Sequence, residues 1–161
     1  MTDVRRYPGR PIVAVGAVIL ERDRVLLVKR QHPPLEGEWS LPGGAVESGE
    51  TLEAALAREV REETCLDVVV GPVVEVLDSI RRDAEGRAEY HYVIIDYACR
   101  VRPGASNVAA CGSDAADVDW VTVTDLERYR VTPNAIMVIR KALASAHSST
   151  IRDQGSGAPN P

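Results

Sequence analysis

The chain is predicted to be a mixed α+β sandwich in which helices cover a central sheet. Two observations carry this. Runs rich in β-branched residues recur through most of its 161 residues, and helical patterning is confined to 51–64 and 132–146. The strands do not alternate regularly with helices, so a βαβ-built parallel sheet is not indicated, and the length suits one domain with one active site.

The elements follow in order. After a polar lead-in (1–10), residues 12–20 are β-branched and apolar, Glu21-Arg22-Asp23-Arg24 is turn-like, and 25–28 is a second apolar run, which together predict a β-hairpin. Residues 31–44 carry prolines and glycines and read as loop, with a short strand at 39–41. Residues 51–64 contain no glycine or proline and read as a helix. Strand patterns return at 66–70, 73–77, 90–101 and 118–123, with a turn at Asp83-Ala84-Glu85-Gly86. Thr132 before Pro133 is a helix start, capping residue then first-turn proline, and Ile136, Ile139 and Leu143 continue it to 146. The domain is expected to span 11–146, with 147–161 a disordered tail of low apolar content. The order of strand pairing does not follow from these patterns.

Composition narrows the partners. A 45% hydrophobic and 27% charged chain with net charge −5 fits a soluble globular protein and argues against a nucleic-acid backbone as ligand. Cys65, Cys99 and Cys111 are odd in number and follow no CxxC pattern, so neither a disulfide framework nor a zinc site is expected, and reduced thiols in a cytoplasm are the simplest account. The apolar run at 12–20 is too short to span a bilayer, and no signal-peptide pattern precedes it.

The predicted helix at 51–64 carries acids on the wrong face. At about 100° per residue with Leu52 at zero, Ala55, Leu56 and Val60 define an apolar stripe, and Glu59 (about 340°) and Glu63 (about 20°) fall inside it. Glu62, at about 280°, lies on its edge. A buried carboxylate without a partner costs several kcal/mol or takes up a proton, so these charges require an offset. Spacing of i, i+3 and i+4 gathers their oxygens, a donor set for a hard divalent cation: Mg²⁺ is the natural candidate and Mn²⁺ a substitute. The segment has no histidine and no cysteine among these ligands, which argues against zinc or copper.

The residues before the helix complete a pattern: Gly44, Glu50, then Arg58-Glu59-Val60-Arg61-Glu62-Glu63-Thr64-Cys65-Leu66. This resembles the signature box of the Nudix hydrolases, matching every specified position except Cys65, where the family has glycine. Trp39-Ser40-Leu41-Pro42-Gly43-Gly44 also resembles the family's approach to the box. The resemblance implies an α/β/α sandwich with a central mixed sheet and hydrolysis of a pyrophosphate bond in a nucleotide-type substrate. It implies Glu59, Glu62 and Glu63 as metal ligands, a backbone carbonyl at Gly43 or Gly44 as another, and Glu50 as a weaker candidate. Arg58 would orient the acids, a guanidinium holding carboxylates in a defined plane. Glu59 or Glu62 would accept the proton of the attacking water, Asp114 or Asp117 being acids of a later loop that could serve instead. Lys29 and Arg30, and more weakly Arg81, are expected to meet substrate phosphate. Cys65, just past the helix end, would adopt a left-handed conformation at a cost of about 1 kcal/mol.

Substrate choice is less defined by the residues. The stretch 75–100, with Tyr90-His91-Tyr92-Val93 before Asp96-Tyr97, resembles bacterial Nudix members described as ADP-ribose pyrophosphatases, so ADP-ribose, cleaved to AMP and ribose 5-phosphate, is the leading substrate. The proline that marks many of those enzymes is absent near Arg82, which keeps a house-cleaning (d)NTP pyrophosphohydrolase as the alternative. A nucleotide-sensing binding module is a third reading, opposed by the intact glutamates. Oligomeric state is open, a homodimer being common among small relatives.

Overall fold

A computed structural model describes residues 4–106, 109–110 and 115–153, the last five by backbone alone. Its described elements are β1 (Ile12–Glu21), β2 (Arg24–Arg30), β3 (Trp39–Ser40), β4 (Gly43–Ala45), α1 (Leu52–Thr64), β5 (Val68–Arg82), β6 (Ala88–Val101), β7 (Ala115–Thr122) and α2 (Pro133–Asp153), with a 3-10 turn at Leu126–Arg128. β1 organises them. It turns into β2 at Glu21–Arg24, pairs in parallel with β6 from Ile12↔Tyr92 to Ile19↔Cys99, and pairs antiparallel with β4 at Ala14–Gly16. β5 closes one side against β6, while β3 and β7 pair with β2. The sheet is therefore mixed, in the order β3-β2-β1-β6-β5.

The two helices lie on two apolar clusters. Val15, Ala17 and Ile19 of β1 pack with Ala55, Leu56 and Val60 of α1, whereas Val18 packs with Val25 and Leu27 of β2 and with Val138, Ile139 and Ala142 of α2. A strand covered on both faces needs apolar residues at every position, which is why 12–20 shows no alternation. Complete burial of Leu56, Val60 and Ile139 contributes about 1.5–3 kcal/mol each. α1 starts where Thr51 Oγ1 accepts the Ala54 N–H (3.2 Å). It ends at Cys65 in the left-handed conformation (φ 58°), the Cys65 N–H donating to the Arg61 carbonyl (2.9 Å). The cap that glycine usually supplies is kept despite the Cβ strain.

Three differences from the expected elements have physical causes. The segments 66–70 and 73–77 form one long strand, because the proline at 72, which has no N–H to donate, is absorbed by a register shift between Val70 and Val73. Gly71 beside it approaches the Ala98 carbonyl so closely that a Cβ would lie 2.6 Å away. β4 forms inside the expected loop because β1 offers it a partner. α2 runs on to Asp153, into the segment expected as tail; 154–161 lie outside the described residues. No described helix is long and apolar enough to cross a membrane.

Asp96 is buried in β6 (4% exposed), and its Oδ1 sits where a side chain on Gly16 would be, 2.0 Å from an ideal Cβ. Burial, and then the charge of Glu75, push its carboxyl up to about 6. A folded value above the unfolded one means that both states are protonated below about pH 4. Between about pH 4 and 6 only the unfolded state loses its proton, so stability falls across that window and stays reduced above it. A rise of that size corresponds to about 3 kcal/mol. Asp96→Asn is expected to raise stability at pH 8 by up to that amount relative to its effect at pH 4, measured by denaturant unfolding at both values. An equal effect at both would show that Asp96 does not titrate in this way.

Candidate active site

The acids of α1 follow their angular positions. Glu63 is buried (2%), Glu59 is half-buried, and Glu62 is the most open of the three, with a side chain 39% exposed. Glu63 is satisfied from two sides: Oε2 accepts the Gly43 N–H (2.8 Å) and Oε1 accepts Arg30 Nη1 (2.8 Å). This anchors the end of α1 to β4 and to the end of β2. Gly44 lies against Glu59, where a Cβ would come within 2.5–2.6 Å of the carboxylate. The two glycines thus allow the chain to pass directly over the acids.

Arg58 organises the outer acids. Its Nε and Nη2 hold both oxygens of Glu50 (2.6 and 2.9 Å), Nη2 also reaches the Ala45 carbonyl, and Nη1 is shared between Glu59 Oε1 (2.9 Å) and Glu62 Oε2 (3.2 Å). One guanidinium nitrogen therefore gathers two carboxylates. Arg58 holds the Glu50 carboxyl down at about 2, helped by the Glu47 N–H. Burial pushes the Glu59 carboxyl above its ordinary range; hydrogen bonding from Arg58 opposes this and the charge of Glu62 adds to it.

Arg30, expected at substrate phosphate, has most of its donors engaged within the protein. Nε donates to Ser40 Oγ (2.6 Å), Nη1 to the Gly43 carbonyl (3.0 Å) and Glu63, and Nη2 to the Leu41 carbonyl (3.0 Å). In this geometry it positions Glu63 and the glycine loop. Lys29 takes no part in that network; it stands across from Trp39 and Asp117 in the sheet. Arg81 lies on β5 with its Nη2 3.5 Å from Glu38. Asp117 is exposed at the start of β7, while Cys111 and Asp114 lie outside the described residues.

The donor set fits a hard divalent cation. Glu59 Oε2 and Glu62 Oε1 carry no hydrogen bond among the described residues, and both belong to carboxylates gathered by one nitrogen beside the Gly43–Gly44 backbone. No three acidic, histidine or cysteine side chains among the described residues already converge to ligand distance. The bonds show where the other oxygens go: Arg58 takes both of Glu50 and one each of Glu59 and Glu62, and Glu63 is held by Arg30 and the Gly43 N–H. Glu50 has both oxygens committed to Arg58 and to the Glu47 N–H, as Glu63 has to Arg30 and the Gly43 N–H.

Comparison with known proteins identifies the family. The family profile described as NUDIX domain matches residues 10–142. An ADP-ribose pyrophosphatase of Methanocaldococcus jannaschii is 36% identical over 128 residues, covering 78% of this chain and 72% of that protein. A Mycobacterium tuberculosis protein provisionally named 8-oxo-dGTP diphosphatase 2 is 38% identical over 114 residues, 68% of this chain and 79% of the relative. Among solved structures, a MutT NUDIX hydrolase of Burkholderia pseudomallei superposes with a TM-score of 0.69 at 28% identity, covering 82% of this chain and 98% of that one. With the box residues of α1 gathered against the Gly43–Gly44 loop and the family profile spanning nearly the whole folded region, the chain belongs to the Nudix hydrolase family.

Proposed function

We propose that the chain is a Mg²⁺-dependent hydrolase of the pyrophosphate bond in a nucleoside diphosphate linked to another moiety, with ADP-ribose as leading substrate and AMP and ribose 5-phosphate as products. The observation that carries this is the pairing of Glu59 and Glu62 on one Arg58 nitrogen, each with an oxygen uncommitted, beside the Gly43–Gly44 backbone. These two, with Glu63 and a backbone carbonyl of the glycine loop, would hold Mg²⁺. When bound, the ion supplies neutralisation of phosphate charge and polarisation of phosphorus and of a nucleophilic water.

The chain's own residues supply the rest. Glu59, whose burial raises its affinity for a proton, is suited to accept one from the attacking water, with Glu62 as its alternative. Arg58 keeps both carboxylates in one plane, and Arg30 keeps Glu63 and the Gly43 carbonyl together. Past the end of α1's cover the same sheet face continues with Val13 and Val76, 42% and 56% exposed, on rungs shared with Val93 and Ile95. This apolar surface, next to the chain leaving β4 (Val46 N–H to the Val13 carbonyl, 3.0 Å), is suited to the nucleoside half of a substrate. The relatives' names support both an ADP-ribose and a nucleoside-triphosphate reading.

A panel of ADP-ribose, dinucleotides, sugar nucleotides and (d)NTPs, assayed with Mg²⁺ for AMP, ribose 5-phosphate and pyrophosphate, tests the proposal. ADP-ribose is expected to be split fastest and chelation by EDTA to abolish turnover. Preference for a (d)NTP with release of pyrophosphate would replace the substrate and keep the chemistry. Turnover unaffected by EDTA, or no turnover of any member, would overturn the mechanism.

A further inference from the structure

One edge of the sheet is open. β5 ends the strand order and pairs only with β6 among the described residues, which leaves a row of backbone N–H and C=O groups facing outward. Most of that row is blunted. Pro72 has no N–H to offer, and register shifts break the ladder between Val70 and Glu75. The Val76 N–H is taken by Glu75 Oε1 (3.0 Å), whose other oxygen accepts Lys141 Nζ (2.7 Å). Past Arg82 the chain turns, the Asp83 N–H donating to the Arg87 carbonyl and the Gly86 N–H to that of Asp83 (3.0 Å each).

The stretch left open is 78–82, and its side chains are arranged symmetrically. Because the Val76 N–H points out of the edge, alternation turns those of Asp78, Ile80 and Arg82 the same way. The register shift between Arg81 and Arg82 falls on β6, where Glu89 is the extra residue, so β5 keeps its alternation. Ile80, at the middle, is 43% exposed; Asp78 and Arg82, two residues to either side, are exposed and carry opposite charges. Asp78 holds no hydrogen bond or ion pair among the described residues, and Arg82 holds only the Gly86 carbonyl (3.0 Å). All three side chains share the sheet face that carries Val76.

We propose that this edge joins two copies of the chain, β5 pairing antiparallel with β5 of a second copy about a two-fold axis at Ile80. In that register Ile80 meets itself, and Asp78 of each copy stands opposite Arg82 of the other. About six backbone hydrogen bonds form, two at each outward-facing pair. Moving the axis to Asp78 sets two carboxylates against each other. Moving it to Ser79 sets Asp78 opposite Ile80 and Arg82 opposite Val76, which leaves every charge unpaired, so charge selects the Ile80 register. A second copy is the occupant because the complement of this edge is the edge itself. The result is one continuous sheet in which both α1 helices, and both apolar surfaces at Val13 and Val76, lie on the same side.

The test is sedimentation velocity of the full chain across a concentration series, from about 1 to about 200 μM, the range in which a contact of this size associates. The wild type is expected to pass from monomer to dimer within it. Asp78→Arg and Arg82→Asp should each weaken association by about tenfold or more, and the double variant carrying both should recover it, because the opposed charges are then exchanged but still matched. Ile80→Lys, which sets two like charges together on the axis, should leave only monomer. The three residues are exposed, so thermal melting at the lowest concentration is expected to stay that of the wild type and to show that each variant folds. A wild type that remains monomeric throughout would overturn the proposal, as would a dimer that persists in both single reversals and in Ile80→Lys, or a double variant no better than the single ones. None of these readouts depends on turnover, so the outcome is separate from that of the substrate panel.

Discussion

Glu62→Gln is expected to lower kcat by about 10²–10³-fold while the melting temperature stays within a few degrees of the wild type. Both halves follow from its place. Its side chain is 39% exposed and makes one hydrogen bond of 3.2 Å, to an Arg58 nitrogen that also holds Glu59 at 2.9 Å, so little of the fold depends on it. Substitutions at positions of this kind usually change stability by no more than about 0.5 kcal/mol. The amide keeps the shape but loses the charge that would hold a divalent ion, and ion-assisted stabilisation of a transition state is worth several kcal/mol. Turnover measured across a Mg²⁺ titration, with melting in parallel, separates the two effects. Retained turnover at ordinary Mg²⁺ would remove Glu62 from the site. Glu63→Gln makes an instructive contrast, because Glu63 is buried and bonded to Arg30 and the Gly43 N–H; stability and activity should both fall there.

Gly43→Ala is expected to cost about 3–5 kcal/mol of stability, combining the ordinary cost of overpacking with that of an unfavourable φ. The added Cβ would lie 2.0 Å from the Val15 carbonyl oxygen and 2.8 Å from Gly16 Cα, at a residue whose φ is 150°. Both obstacles are backbone of the central strand, so nothing flexible can yield, and β4 must leave β1. At Gly44 the obstacle is the far end of Glu59, at 2.5–2.6 Å, which can swing away. Gly44→Ala should therefore keep most of the stability and lose most of the activity. Denaturant unfolding and turnover of the two variants side by side provide the check. A Gly43→Ala protein as stable as the wild type would mean that β4 can move off β1 at little cost.

The helix was the part of the site most open to reading in advance. An α-helix is local, so spacing alone puts Glu59 and Glu63 on the covered face and Glu62 on its edge, and the structure keeps that order of burial. The left-handed cap at Cys65 and the capping by Thr51 are equally local. Arg58 lies one residue from Glu59 and four from Glu62, within reach of any helix of that sequence.

Contacts between distant segments were not available in the same way. Nothing near Arg30 shows that its guanidinium will turn to Glu63, 33 residues away, and to the Gly43 carbonyl; only the antiparallel pairing of β2 with β3 brings it there. Lys29 and Arg30 look equivalent in the chain, yet adjacent strand residues point to opposite sides, and one joins the acid cluster while the other does not. The mixed sheet itself rests on the parallel pairing of β1 with β6, strands some 80 residues apart. The amino-acid pattern by itself thus determined the class of fold and the acid-bearing helix, because these are set by periodicity and by the cost of burying charge; the reaction was implied only by the resemblance of the segment at 44–66 to the Nudix box. Tertiary structure alone decided which carboxylates and carbonyls each arginine holds, because a guanidinium's partner is whatever the folded chain brings within about 3 Å of it.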